Sequence, residues 1–266
     1  MNYFSEKLGA EAEAEAEAEV GAKLSRLRIV LVGTSHPGNI GAVARAMKVM
    51  GLDALHLVNP VRFPAIEATA RAVGASDLLD RALVHSELEH SVEGCSLVYG
   101  TTARNRQINW PVLSPRDAAL EISRTEAPVA IVFGREQAGL SNSELDLCQR
   151  SIRIPTHSQF KSLNLGQAVQ IMAYEIRMAH LSMGSGKQDA IGQEKDPLAS
   201  ASEIQLLRAH LMAVMKSVGY YDPVYPKLLE RRIGRYLNST NLRHSEVQIV
   251  RGFLSAIEQR LGFSAL

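Results

Sequence analysis

Three short runs hold the residues best suited to chemistry: Asn39 to Arg45, Phe133-Gly134-Arg135-Glu136 on to Gly139-Leu140, and Ser162-Leu163-Asn164-Leu165. Arg45 offers a permanent positive charge to an anion. Gly134 and Gly139 lack a Cβ, so a ligand or a neighbouring backbone can approach them closely. Glu136 places a carboxylate at the mouth of a cleft, or equally a charge that favours the dipole of the next helix. Ser162 and Asn164 open the longest apolar helix, where capping is the plain alternative to a ligand contact. A Gly-rich turn ahead of a helix is weak evidence alone, and a structural loop explains the first run as well. Each run falls where a strand ends. Three loops are therefore expected at one sheet edge, where open α/β folds bind ligands.

The elements that must position these residues follow from the apolar pattern. Ile29-Val30-Leu31-Val32 is continuous, as in a strand buried on both faces, and turn-forming residues Gly33 to Gly38 follow it. Helix 1 is expected from Asn39, with Asn39 as N-cap, Ile40, Val43, Ala44 and Met47 as the apolar stripe, and Gly51 ending it. Gly41, Arg45 and Lys48 then share the opposite side. Further strands are predicted at Ala54 to Val58, Ala82 to His85, Leu97 to Tyr99, Val129 to Phe133 and Ser151 to Ile154. Helices are predicted at Ala65 to Val73, Glu87 to Val92, Ser114 to Arg124, Asn142 to Cys148 and Leu163 to Met183. The alternation implies an α/β fold: a mostly parallel sheet with helices on both faces.

Outside this block the character of the chain changes. Glu11 to Glu19 alternate Glu and Ala, so residues 1–26 are expected as a low-complexity acidic extension with no apolar face to bury. Residues 27–183 form the α/β domain, 184–202 a flexible linker rich in Gly and Ser, and 203–266 a helical C-terminal domain. In that domain Ile204, Leu207, Leu211, Val214 and Met215 make one stripe and Val247, Val250, Leu254 and Ile257 another. It carries nine basic residues against five acidic, while the whole chain is only +1. Lys227, Arg231, Arg232 and Arg235 have helical spacing, with Tyr220, Tyr221 and Tyr225 close by. An RNA-facing surface and a solvated helix face explain that cluster equally.

Composition excludes several classes. At 266 residues, 46% hydrophobic and 21% charged, the chain can bury one substantial core. Cys95 and Cys148 lie in apolar segments and form no CxxC, so a disulfide framework is not expected and a reducing, cytoplasmic compartment is. No run reaches the roughly 18 apolar residues of a membrane span, and the acidic start lacks a secretory pattern. No GxGxxG follows the first strand, and GxxxxGK[ST], GxSxG and HExxH do not occur. The eight histidines do not pair with cysteines at zinc spacing, so no metal is expected. Gly100-Thr101-Thr102-Ala103-Arg104 ends another strand with small and hydroxyl residues followed by the bases Arg104 and Arg106.

NxGAVAR, FGxExxGL and IP followed by SLNL, in this order, resemble the three motifs of the SPOUT class of RNA methyltransferases. Within it the chain most resembles the TrmJ-type tRNA 2′-O-methyltransferases, through Thr34-Ser35-His36, Leu57-Val58-Asn59-Pro60 and Gly74-Ala75-Ser76-Asp77. The resemblance covers about residues 27 to 183. It implies a trefoil-knotted domain, a homodimer, S-adenosylmethionine as cofactor and methyl transfer to the ribose 2′-OH of nucleotide 32, cytidine or uridine, in the tRNA anticodon loop. It also leaves open a ribosomal RNA substrate, or a non-catalytic RNA-binding protein with the same fold. Carried over by motif, the cofactor residues are Thr101, Thr102, Ala103, Gly134, Ile154, Lys161, Ser162, Leu163 and Asn164. Arg45 is the expected catalytic residue, with Asn39, Glu136, Ser162 and Asn164 shaping the pocket. His36, Arg45, Arg104, Arg106 and Arg135 are the expected RNA contacts.

Overall fold

The structure, a computed structural model, describes residues 18–103, 112–159, 162–184 and 196–262. A short helix, α1 (18–24), buries Val20 and Leu24, so the chain just beyond the Glu-Ala tract belongs to the core. Strands β1 (Leu27–Val32), β2 (Ala54–Val58), β3 (Leu83–His85), β4 (Leu97–Thr101), β5 (Val112–Leu113), β6 (Val129–Phe133) and β7 (Arg150–Ile152) form one sheet in the order β3-β2-β1-β6-β4-β7-β5. Every pairing is parallel. The central strands are apolar throughout because both faces are covered. Ile29 and Leu31 enter one core cluster, and Val30 and Val32 enter the other.

Helices α2 (Pro37–Val49), α3 (Ile66–Ala72), α4 (Ser76–Asp80), α5 (Leu88–Ser91), α6 (Pro115–Ser123), α7 (Asn142–Leu145) and α8 (Leu165–Gly184) connect the strands. Residues of α2, α3, α6 and α8 pack against the first cluster, and α5 and α7 contribute to the second. β6 inserts between β1 and β4, and β7 then lies beyond β4. That order is compatible with the knotted connection the resemblance implies. It makes β1, β6, β4 and β7 consecutive neighbours, so the loops leaving their C-terminal ends converge.

Several boundaries differ from the pattern. Helix α2 begins at Pro37 rather than Asn39, because proline's fixed φ suits the first helical turn. Asn39 is therefore inside the helix, and the N-cap position belongs to His36, whose side chain makes no capping bond. Helix α7 ends at Leu145, and α8 starts at Leu165. Besides α1, two elements were not expected: β5, whose two residues are held only by pairing to β7, and α4, which buries Leu78 and Leu79.

The C-terminal helices α9 (Ala201–Ser217), α10 (Leu229–Ser239) and α11 (His244–Leu261) close around Ile204, Leu207, Val214, Leu237, Val247 and Leu254. The two stripes read from the sequence thus face one another. Of the stretch expected as linker, residues 196–202 are built into the fold: Leu198 bridges Arg243, and the Ala201 peptide N–H donates to Cys95 O over 2.8 Å. The bundle is pinned by Arg150, almost fully buried at the start of β7. Its guanidinium reaches Glu121 of α6, the Asn238 carbonyl and the Asn241 side chain. Arg231 of α10 adds an ion pair to Asp146 at 3.2 Å.

Candidate active site

The loop after β6 is the tightest part of the converging edge. The Gly139 peptide N–H donates to Arg135 O over 2.8 Å, and Gly139 takes a φ of +67° that favours glycine. The loop thereby folds back onto Gly134. A Cβ there would lie 2.2 Å from the backbone of Gly139 and of Leu140, so no other residue fits without opening the turn.

This loop forms one wall of a cavity of about 360 Å³. Apolar surface comes from Phe133, Leu140, Ile152, Ile154, Leu163 and Leu165; polar groups come from Thr101, Thr102 and Ser162. Thr101 and Thr102 sit at the end of β4, where the Thr101 hydroxyl donates to Val132 O and the Thr102 N–H donates to Ile152 O. Ala103 and Gly134 complete that side. Of the expected cofactor residues, Thr101, Thr102, Ala103, Gly134, Ile154, Ser162 and Leu163 all line this one cavity. Asn164 does not, and Lys161 lies outside the described residues.

Beside it, sharing Leu163, opens a wider groove of about 830 Å³ between α2 and α8. Asn39, Arg45 and Asn164 line it, joined by Arg71, Gln167 and Gln170, which sequence reasoning did not select. Arg45 is exposed on α2 and faces this groove rather than the cavity.

A hydrogen-bonded chain ties the three motif runs together. Glu136 accepts from the Ser35 peptide N–H (3.1 Å) and hydroxyl (3.0 Å), from the His36 N–H (3.3 Å) and from Asn39 Nδ2 (2.9 Å). Asn39 Oδ1 accepts from Asn164 Nδ2 over 3.0 Å, and Asn164 Oδ1 accepts from the Gly166 N–H over 2.9 Å. The carboxylate of Glu136 thus serves the start of α2, about a hundred residues earlier, and not the next helix along the chain. Burial alone would raise the Glu136 carboxyl. The Asn39 amide and the peptide N–H groups of Glu136, Ser35 and His36 outweigh it and lower the pKa to about 2. Such a group is ionised and its oxygens are occupied, so it positions and does not accept a proton near neutrality.

The expected RNA contacts divide. His36 and Arg45 are exposed. Arg135 is held in an ion pair with Glu144 at 3.0 Å, so its charge is already matched within the fold. Arg104 and Arg106 lie outside the described residues. Among the described residues no group of three His, Cys, Asp or Glu is placed to hold a metal, and no helix is long and apolar enough to cross a membrane.

The sequence pattern of the SpoU rRNA Methylase family matches residues 26–174, and that of the tRNA methyltransferase TrmJ C-terminal domain matches residues 202–264. The chain is 45% identical over 245 residues to the tRNA (cytidine/uridine/adenosine-2′-O-)-methyltransferase TrmJ of Pseudomonas aeruginosa, covering 89% of this chain and 95% of that protein. It is 44% identical over 237 residues to the tRNA (cytidine/uridine-2′-O-)-methyltransferase TrmJ of Sodalis glossinidius, covering 88% and 92%. The crystal structure of TrmJ from Z. mobilis ZM4 superimposes with a TM-score of 0.76 at 34% identity, covering 87% of this chain and 98% of that one. With the three motif runs gathered in a cavity and the groove that adjoins it, and family patterns matching both the α/β domain and the helical C-terminus, the chain belongs to the SpoU methylase family and, within it, to the TrmJ tRNA 2′-O-methyltransferases.

Proposed function

We propose that this chain uses S-adenosylmethionine to methylate the ribose 2′-OH of nucleotide 32, cytidine or uridine, in the tRNA anticodon loop, and that it works as a homodimer. The observation that carries this reading is the adjacency of two sites: an apolar cavity edged by hydroxyls, and an arginine-lined groove that meets it at Leu163. The donor set suits the cofactor. Phe133, Ile152, Ile154 and Leu165 offer flat apolar contact to a nucleoside, and Thr101, Thr102 and Ser162 offer hydrogen bonds to its polar edges. Bound there, a sulfonium cofactor supplies the methyl group.

The chain's own residues orient and stabilise. Arginine stays protonated in proteins, so Arg45 does not act as the base; it holds phosphate or the alkoxide that develops as the 2′-OH loses its proton. Asn39 and Asn164 lock the start of α2 to the start of α8, which fixes Arg45 relative to the cavity. Methyl transfer needs in-line alignment above all, and a rigid hydrogen-bonded frame provides it. A 2′-OH target also explains an RNA substrate. The dimer is supported by apolar side chains left exposed on α2 and α8: Val49, Tyr174, Met178 and Leu181. Arg232 and Arg235 stay exposed on α10 beside Tyr236, which supports an RNA-contacting role for the C-terminal helices, whereas Arg231 is used in docking.

The test is transfer of labelled methyl to tRNA, with the modified nucleotide mapped. Label at the 2′-oxygen of nucleotide 32 is expected. Arg45→Ala is expected to cut turnover by at least a hundredfold, about 2.7 kcal/mol, while cofactor affinity measured by calorimetry stays near wild type. Label in ribosomal RNA, or no cofactor binding at all, would overturn the proposal.

A further inference from the structure

The groove between α2 and α8 contains a second arginine whose position is set by the backbone. Helices α2 and α3 approach so closely at Gly41 that a Cβ there would lie 2.1 Å from Ala68 O and 2.8 Å from Arg71 Cβ. This contact brings the last turn of α3 against the first turns of α2. Arg71 therefore lines the same groove as Asn39 and Arg45, although it comes from a different helix. The Arg71 stem passes Gly38, whose added Cβ would meet Cγ at 3.5 Å.

Neighbouring cations in and beside α2, α3 and α4 are ion-paired. Lys48 and Arg81 both pair with Asp77, at 2.6 and 2.9 Å, and Arg62 pairs with Glu67 at 2.6 Å. The side chains of Arg45 and Arg71 have no ion pair or hydrogen bond among the described residues, and no Asp or Glu lines their groove. The favourable end of the α3 dipole accounts for a cation in its last turn. It does not account for two arginines without an ion pair lining one groove from separate helices. Such a pair suits an anion, and the planar fork of arginine suits phosphate oxygens in particular.

We propose that Arg71 is a second phosphate-binding residue of the methylation site, acting with Arg45 to hold the RNA backbone beside the target ribose. This rests on the reading that the chain methylates tRNA.

Arg71→Met keeps the stem that packs over Gly38 and removes the charge; Arg71→Lys keeps the charge. Both are compared with wild type in tRNA binding across a salt series, in steady-state methylation and in cofactor calorimetry. Arg71→Met is expected to weaken tRNA binding about tenfold. Its plot of log affinity against log salt should be shallower by about 0.7 to 0.9, the loss of one phosphate contact. KM for tRNA should rise while kcat, cofactor affinity and Tm hold, and Arg71→Lys should recover most of the loss. If wild type methylates tRNA and Arg71→Met matches it in affinity and salt slope, this inference alone is overturned. Equal losses in both variants with a lowered Tm would make Arg71 structural and overturn it as well. A wild-type chain that neither binds nor methylates tRNA would overturn both readings.

Discussion

Replacing Glu136 by Gln tests whether the site is held together by one part-buried charge. The substitution keeps the shape, removes the charge and turns one acceptor oxygen into a donor facing the donors of Ser35, His36 and Asn39. The carboxyl falls from an ordinary 4.5 to about 2, and at about 1.36 kcal/mol per pH unit that difference caps its contribution near 3 kcal/mol. Glu136 is only part-buried, so solvent screening reduces the expected value to about 1–2 kcal/mol. The sign follows from the depressed pKa. The stabilisation is complete above the unfolded-state value near 4.5 and is lost as pH falls from there toward 2. Urea unfolding of wild type and Glu136→Gln should therefore differ by about 1–2 kcal/mol at pH 7 and by clearly less at pH 3.5. Methylation at pH 7 should drop in parallel, since Asn39 loses its anchor. A stability difference that does not change between pH 7 and 3.5 would refute the assignment of the effect to the ionised carboxylate.

Two further predictions rest on packing. Gly134→Ala forces a Cβ to within 2.2 Å of the Gly139–Leu140 backbone; cofactor binding measured by calorimetry should fall at least tenfold, and stability by about 1–3 kcal/mol. Arg150→Ala leaves Glu121 and the Asn238–Asn241 turn without their buried partner and should cost about 3–5 kcal/mol by denaturant unfolding, with protease cleavage near residues 196–202 rising as the C-terminal helices undock.

Much of the fold was legible in the sequence because burial on both faces leaves an unmistakable mark. Ala54–Val58 and Val129–Phe133 were bounded correctly from their apolar runs alone. Elements held by partners rather than by pattern were not legible. β5 has two residues and exists through its pairing to β7. Asn39 looks like an N-cap in the sequence, whereas the start of α2 is set by Pro37 and tied down by Glu136 from the loop after the neighbouring strand β6.

The site divides along the same line. The three motif runs and their order carried the resemblance that implied the class of chemistry, whereas residue types alone left each run equally well explained as a structural loop or a cap. Tertiary structure decided which of them act together. It joined Glu136, Asn39 and Asn164 into one chain of hydrogen bonds, withdrew Arg135 into an ion pair with Glu144, and brought Arg71 to the groove of Arg45 through the Gly41–Ala68 contact. Side-chain type and local spacing are written in the chain. Whether a charge is matched or left free depends on what the rest of the fold places within a few ångströms of it, and no local pattern carries that information.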